Sequence, residues 1–193
     1  MSIARIRISL DSYHASIIKL DVTHARAGTY GCAVITVSTS RYGKTRNVKQ
    51  PEDAGDISGG LIIRLLEAAG HRICGYELVS DDAGMIRDAV AALSMDADAI
   101  MITGGTGISP RDVTIEAVAP LFEKEIPGFG ELFRQKSLAS IGTAAMLSRA
   151  TAGVAGGKVI FCLPGSPAGV ELALTELIIP ELGHLMNHIR ETK

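Results

Sequence analysis

The sequence predicts an α/β fold built on a mostly parallel sheet, and three observations predict it. Short β-branched runs such as CAVITVS and DAIMIT are apolar throughout, the mark of strands buried on both faces. Segments of helical period lie between them, as crossovers joining parallel strands require. The chain has 193 residues of which 47% are hydrophobic, enough for one compact domain and too many for bulk disorder.

The elements follow in order. Ile6, Ile8 and Leu10 alternate with polar residues as in a half-buried strand, but no period continues to Tyr30. Residues 1–30 therefore read as an N-terminal extension that contributes to subunit contacts, and residues 31–193 as the α/β domain. CAVITVS is the first strand. Residues 39–56 carry Arg41, Lys44, Arg46 and Lys49 and read as a polar loop long enough to be functional. Residues 58–70 are helical by period, with Asp56 or Ser58 as cap and Gly70 as stop. A strand over 71–79, a helix over 82–95 and a strand over 98–103 come next. Helices are expected over 112–122 and 128–138, with a shorter one over 144–149. KVIFCL is the fourth strand, and a last helix runs to about residue 189, ended or kinked by Pro180.

Composition excludes several classes. A net charge of −2 argues against a nucleic-acid groove. Cys32, Cys74 and Cys162 are odd in number and far apart, so neither a disulfide framework nor a zinc knuckle is expected. No apolar run reaches a membrane-spanning length, and the N-terminal stretch lacks the apolar core of a signal peptide. The expectation is a cytoplasmic protein with no membrane partner.

Ligands of such sheets bind at the carboxyl ends of the strands. Three loops of unusual chemistry leave those ends here: the basic loop after Val37, GGTGISPRD and PGSP. Gly104, Gly105, Thr106 and Gly107 let the backbone aim successive N–H groups at one spot, a nest for an anion, or else form a plain turn. The pattern is neither a dinucleotide fingerprint nor a Walker loop. Asp112 reads as a helix N-cap or, beside bound phosphate, as a Mg²⁺ ligand. Asp81 and Asp82 stand at another strand end, where either one serves as a cap. In Pro164-Gly165-Ser166-Pro167 a rigid turn offers the Ser166 hydroxyl. His184 and His188 have the spacing of a metal pair, with no third ligand evident in the sequence. The basic loop either is a solvated surface or closes over a triphosphate.

Five segments carry a family resemblance: ITVSTSRYGK, DISGGLIIRLLEAAGH, ITGGTGISPRDVTIEA, PGFGELFRQKSLASIGTAAMLSRATAG and FCLPGSPAGVELAL. In this order they resemble the MoaB/MogA family of molybdenum cofactor biosynthesis over roughly residues 32–182. The resemblance implies a three-layer α/β/α sandwich assembling as a homotrimer or hexamer. It implies a molybdopterin adenylyltransferase, which takes AMP from Mg-ATP to the phosphate of molybdopterin, its substrate, and releases pyrophosphate. Some relatives serve a tungsten cofactor, and a molybdenum-insertion protein is an implied partner. Asp81 and Asp112 match the family's essential aspartates, acting in catalysis or holding Mg²⁺. Asp56, Ser58 and Gly59 keep its DxSG pattern. With Gly104–Gly107, Arg111, Pro164, Gly165 and Ser166 they form the implied substrate-binding set. Active members often carry Ser-Asp after the first strand, where Ser38-Thr39 stands here. That departure keeps a non-catalytic molybdopterin-binding homologue as an alternative. A flavodoxin-like FMN carrier is a further one, suggested by TVSTSRYGKT and opposed by the scarcity of aromatics.

Overall fold

The computed structural model describes residues 28–45 and 48–191. The strand expected at Ile6, Ile8 and Leu10, and the extension up to residue 27, lie outside them. The described chain begins with β1 (Gly31–Val37), α1 (Thr39–Tyr42), α2 (Ile57–Ala68), β2 (Arg72–Val79), α3 (Ala83–Leu93) and β3 (Ala99–Thr103). It continues with α4 (Thr114–Val118), β4 (Lys124–Glu125), α5 (Pro127–Ile141), β5 (Thr151–Ala155), β6 (Lys158–Leu163), α6 (Pro167–Ala173) and α7 (Ile179–Arg190). No described helix is long and apolar enough to cross a membrane.

Several boundaries differ from expectation, each for a local reason. The loop after β1 contains the short α1 and a 3₁₀ turn at Pro51–Ala54. The expected helix over 112–122 shrinks to α4 followed by 3₁₀ residues Ala119–Leu121, because Pro120 has no N–H to continue it. The one expected over 144–149 is a 3₁₀ segment, Gly142–Leu147. Pro180 neither ends nor breaks the last helix. It sits in the first turn of α7, where an N–H is dispensable, and a π-helical segment, Leu174–Ile178, joins α6 to α7. β4 and β5 were not expected. β5 forms a hairpin with β6 across Gly156 and Gly157, both at positive φ, a Gly-Gly signal present in the sequence.

The six strands lie in the order β2-β1-β3-β6-β5-β4. The first four are mutually parallel, while β5 runs antiparallel to β6, and β4 antiparallel to β5. Alternate residues of β1 enter different cores. Cys32 and Val34 join Met101 and Phe161 under α2, α5, α6 and α7, where Ile62, Leu66, Phe133, Leu174 and Leu182 are buried. Ala33, Ile35 and Val37 join Ile100, Ile102 and Cys162 under α3 and α4, where Ile86, Val90 and Val118 are buried. Both faces are covered, so the architecture is the three-layer α/β/α sandwich. Burial pushes the Cys32 and Cys162 thiols up to about 12, which keeps them inert packing groups.

From β1 the chain moves to β2 on one side, then returns past β1 to β3 on the other. The loops leaving β1 and β3 therefore diverge to opposite faces and open a crevice at their carboxyl ends, the switch point where open α/β sheets bind ligands. Ser38-Thr39 and Gly104–Gly107 are those loops.

Candidate functional site

Gly104 and Gly105 have φ of +94° and +62°, a region that glycine enters without strain. Crowding reinforces the requirement. A Cβ on Gly104 would strike the Val37 carbonyl oxygen. One on Gly105 would strike Thr114 Oγ1 and stand 3.0 Å from Asp81 Oδ1. The Thr114 hydroxyl donates to the Gly104 carbonyl at 2.8 Å, and its N–H donates to that of Gly105 at 3.0 Å, fixing the turn from below. Gly107 has no positive φ, but a Cβ there would lie 2.7 Å from Asp112 Oδ2. The glycine loop thus runs from beside Asp81 to beside Asp112. The two carboxylates that the sequence singled out are brought to one loop, two residues apart along it.

Each carboxylate has one oxygen held and one open. Asp81 Oδ2 accepts from the Thr39 N–H at 2.9 Å and from the Thr39 hydroxyl at 2.7 Å. Asp82 is the cap of α3, its side chain accepting the Met85 N–H at 2.9 Å, and of the two neighbours it is Asp81 that lies beside the glycine loop. Asp112 does not cap α4. Val113 holds the cap position, and Asp112 Oδ2 instead accepts the Ser109 N–H at 2.8 Å, closing the turn around Pro110. Among the described residues no donor meets Oδ1 of either aspartate. Arg111 is exposed, and its guanidinium has no protein partner among the described residues.

Arg149 is the group that sequence reading missed. Its Nε donates to the Gly107 carbonyl at 2.9 Å and its Nη2 to the Asp112 carbonyl at 3.3 Å, while Glu116 takes its other edge. One side chain holds both ends of the Gly107–Asp112 segment. The Glu116 carboxyl is drawn below its usual range, chiefly by the hydrogen bond from Arg149. The only signal in the sequence was an arginine next to a strand, which carries no spacing rule.

PGSP adjoins the glycine loop directly. A Cβ on Gly165 would stand 3.4 Å from the Gly104 Cα, and the Thr103 hydroxyl donates to the Pro164 carbonyl at 2.8 Å. Ser166 caps α6 by accepting the Gly169 N–H at 3.2 Å. The Ser58 hydroxyl donates to the Gly165 carbonyl at 2.8 Å, tying α2 to this loop. Asp56 is the cap of α2 and is buried, its carboxylate accepting from Gly59 N–H, from Thr36 at 2.6 Å and from Tyr76 at 2.9 Å. Asp56, Ser58 and Gly59 therefore frame the crevice from within. Of the basic loop, Arg41 reaches Ser38 Oγ at 3.5 Å beside the end of β1, and Arg46 lies outside the described residues.

Open carboxylate oxygens flanking a glycine backbone suit a phosphate bridged by a hard cation. Comparison with known proteins identifies the family. Residues 33–184 match the family described as "Probable molybdopterin binding domain". The Bacillus subtilis (strain 168) protein named molybdenum cofactor biosynthesis protein B is 50% identical over 165 residues, which cover 84% of this chain and 91% of that one. The crystal structure of the tungsten cofactor synthesizing protein MoaB from Pyrococcus furiosus superposes with a TM-score of 0.74 at 40% identity, covering 86% of this chain and 99% of the other. The structure of the molybdopterin biosynthesis Mog protein from Mycobacterium ulcerans does so with a TM-score of 0.71 at 28% identity, covering 83% and 99%. With this fold, this loop and these relatives, the chain belongs to the molybdopterin-binding-domain family of MoaB and MogA proteins.

Proposed function

We propose that the protein is a molybdopterin adenylyltransferase acting in molybdenum or tungsten cofactor biosynthesis. One observation carries the reading: the Gly104–Gly107 loop lies between Asp81 and Asp112, and each carboxylate keeps an oxygen open. In the reaction the molybdopterin phosphate attacks the α-phosphorus of ATP and expels pyrophosphate. The nucleophile is already an anion, so the protein needs no strong base. Its task is to align two phosphates and offset their repulsion.

The chain's residues divide that task. The backbone of Gly104–Gly107 receives a phosphate, and Ser166 with Pro164 and Gly165 lines the neighbouring wall. Arg111 supplies an exposed positive charge at the rim. Thr39 and Ser109 hold one oxygen of each aspartate, which leaves Oδ1 of each free for a ligand. Mg²⁺ brought with ATP fits this donor set, since the ion is commonly held by one or two carboxylates together with substrate phosphates, and it would supply charge neutralisation there. Asp56, Ser58 and Gly59 contribute by fixing the start of α2 against PGSP. Exposed Leu138, Ile141, Met146 and Leu147 support a homo-oligomer, a trimer or hexamer, and a molybdenum-insertion protein is the partner that would take the product.

Incubating the protein with Mg-ATP and molybdopterin should release pyrophosphate and form adenylylated molybdopterin. A second reading rests on Thr39: both its donors meet Asp81 where active relatives often carry another aspartate. In that reading molybdopterin binds and no pyrophosphate appears.

A further inference from the structure

One polar cluster lies far from the crevice, on α7. His184 Nδ1 is 3.3 Å from Glu181 Oε2, and His188 Nδ1 is 3.4 Å from Glu191 Oε2. The two Nε2 atoms face each other at 2.8 Å, with ring centroids 4.6 Å apart. All four side chains are more than half exposed. The Arg190 guanidinium meets Asp98 at 2.6 Å, which puts this end of α7 at the amino edge of β3, opposite the glycine loop.

Charge and proton arithmetic single the cluster out. A carboxylate beside Nδ1 is satisfied when Nδ1 carries the proton, which leaves Nε2 as a bare lone pair. In that tautomer of both rings, two lone pairs meet at hydrogen-bond distance. A proton shared by the two rings relieves that contact, and so does a cation that both nitrogens bind from one side of the line joining them. A carboxylate behind each ring is also the arrangement that orients histidine ligands toward metals.

We propose that His184 and His188 form a two-histidine surface site for a divalent transition-metal ion, copper(II) or nickel(II), with Glu181 and Glu191 orienting the rings. Distance sets the preference. Two nitrogens 2.8 Å apart, each about 2.0–2.1 Å from a metal, subtend roughly a right angle at it. That suits neighbouring positions of a square-planar or tetragonal centre, the geometry of copper(II) and nickel(II). A tetrahedral zinc centre would separate the nitrogens by roughly 3.3 Å. No group of three or more His, Cys, Asp or Glu side chains among the described residues is placed to hold an ion, so water or an outside donor completes the shell. The site is independent of adenylyl transfer.

The test is titration of the full chain with copper(II), read by calorimetry and by electron paramagnetic resonance. One equivalent should bind with a tetragonal spectrum showing nitrogen coupling. His184→Ala and His188→Ala should each remove that equivalent, and Glu181→Gln with Glu191→Gln should weaken it roughly tenfold. Circular dichroism and Tm should stay at wild-type values because the side chains are exposed, so a lost signal is not lost folding. Equal copper binding by wild type and a His184→Ala/His188→Ala double variant would overturn the site. An unchanged affinity in the two glutamine variants would overturn the orienting role of the carboxylates.

Discussion

Two turns of this molecule contain adjacent glycines at positive φ, and they serve different ends. Gly104 and Gly105 have φ of +94° and +62°, Gly156 and Gly157 of +56° and +74°. A Cβ on Gly156 or Gly157 would meet nothing within 4 Å, whereas one on Gly104 or Gly105 would meet Val37, Thr114 or Asp81. The Gly156–Gly157 turn is shaped by chain reversal between β5 and β6. The Gly104–Gly105 turn is shaped by what crowds it: two strand ends, a buried threonine and a carboxylate. Backbone conformation alone does not mark a binding loop; the polar groups that close on it do.

The contrast is testable by substitution, from the largest effect to the smallest. Gly105→Ala places a side chain at φ +62° against Thr114 and Asp81, at a backbone cost of about 1–3 kcal/mol. We expect Tm to fall by roughly 2–12 °C. Displacing the loop against Asp81 should lower adenylyl transfer roughly 10²-fold, measured as initial pyrophosphate release. Arg149→Met keeps the apolar stem and removes the donors to Gly107 and Asp112. Transfer should drop about tenfold, in kcat more than in KM if the loop must be held in place for the reaction. An equal loss in Arg149→Lys would show that charge alone does not hold the segment.

The Glu116–Arg149 pair gives a pH signature. The folded-state pKa of Glu116 lies below its ordinary value, so the pair's contribution is present above about pH 4.3 and is lost as pH falls through the folded value. The stability difference between wild type and Glu116→Gln, followed by thermal melts, should be small at pH 7 and vanish in the acid range. Gly157→Ala closes the series. Its φ of +74° makes it strained, at about 1–2 kcal/mol, with Tm lowered by roughly 2–8 °C and adenylyl transfer at the native rate. A matching loss of activity would erase the distinction between the two turns.

The sequence revealed the parallel half of the sheet better than the antiparallel half, for a physical reason. β1, β3 and β6 are buried on both faces and so read as continuous apolar runs. β5 is TAGVA, too small in its side chains to announce a strand, and β4 is two exposed residues that pair only because β5 is there. At the site, Asp81, Asp112 and the glycine loop were legible because residue type and position after a strand point to chemistry. Asp112 also looked like a cap, a reading undone by Pro110, whose turn draws the carboxylate back to the Ser109 N–H. Arg149 was illegible. Its partners are the Gly107 and Asp112 carbonyls and Glu116, more than thirty residues away in the chain, and backbone acceptors leave no trace in sequence.

The most direct measurement is adenylyl transfer by Asp112→Asn, set beside its Tm and its molybdopterin affinity. The substitution keeps an oxygen for the Ser109 N–H, so the turn survives and Tm should stay within a few degrees of wild type. The phosphate cradle is backbone, so molybdopterin binding should persist. Removing the charge beside the loop should slow transfer by about 10²–10³-fold, the scale of a lost transition-state contact. A variant that released pyrophosphate at the native rate would contradict the assignment of Asp112 to the reaction and leave it a turn residue.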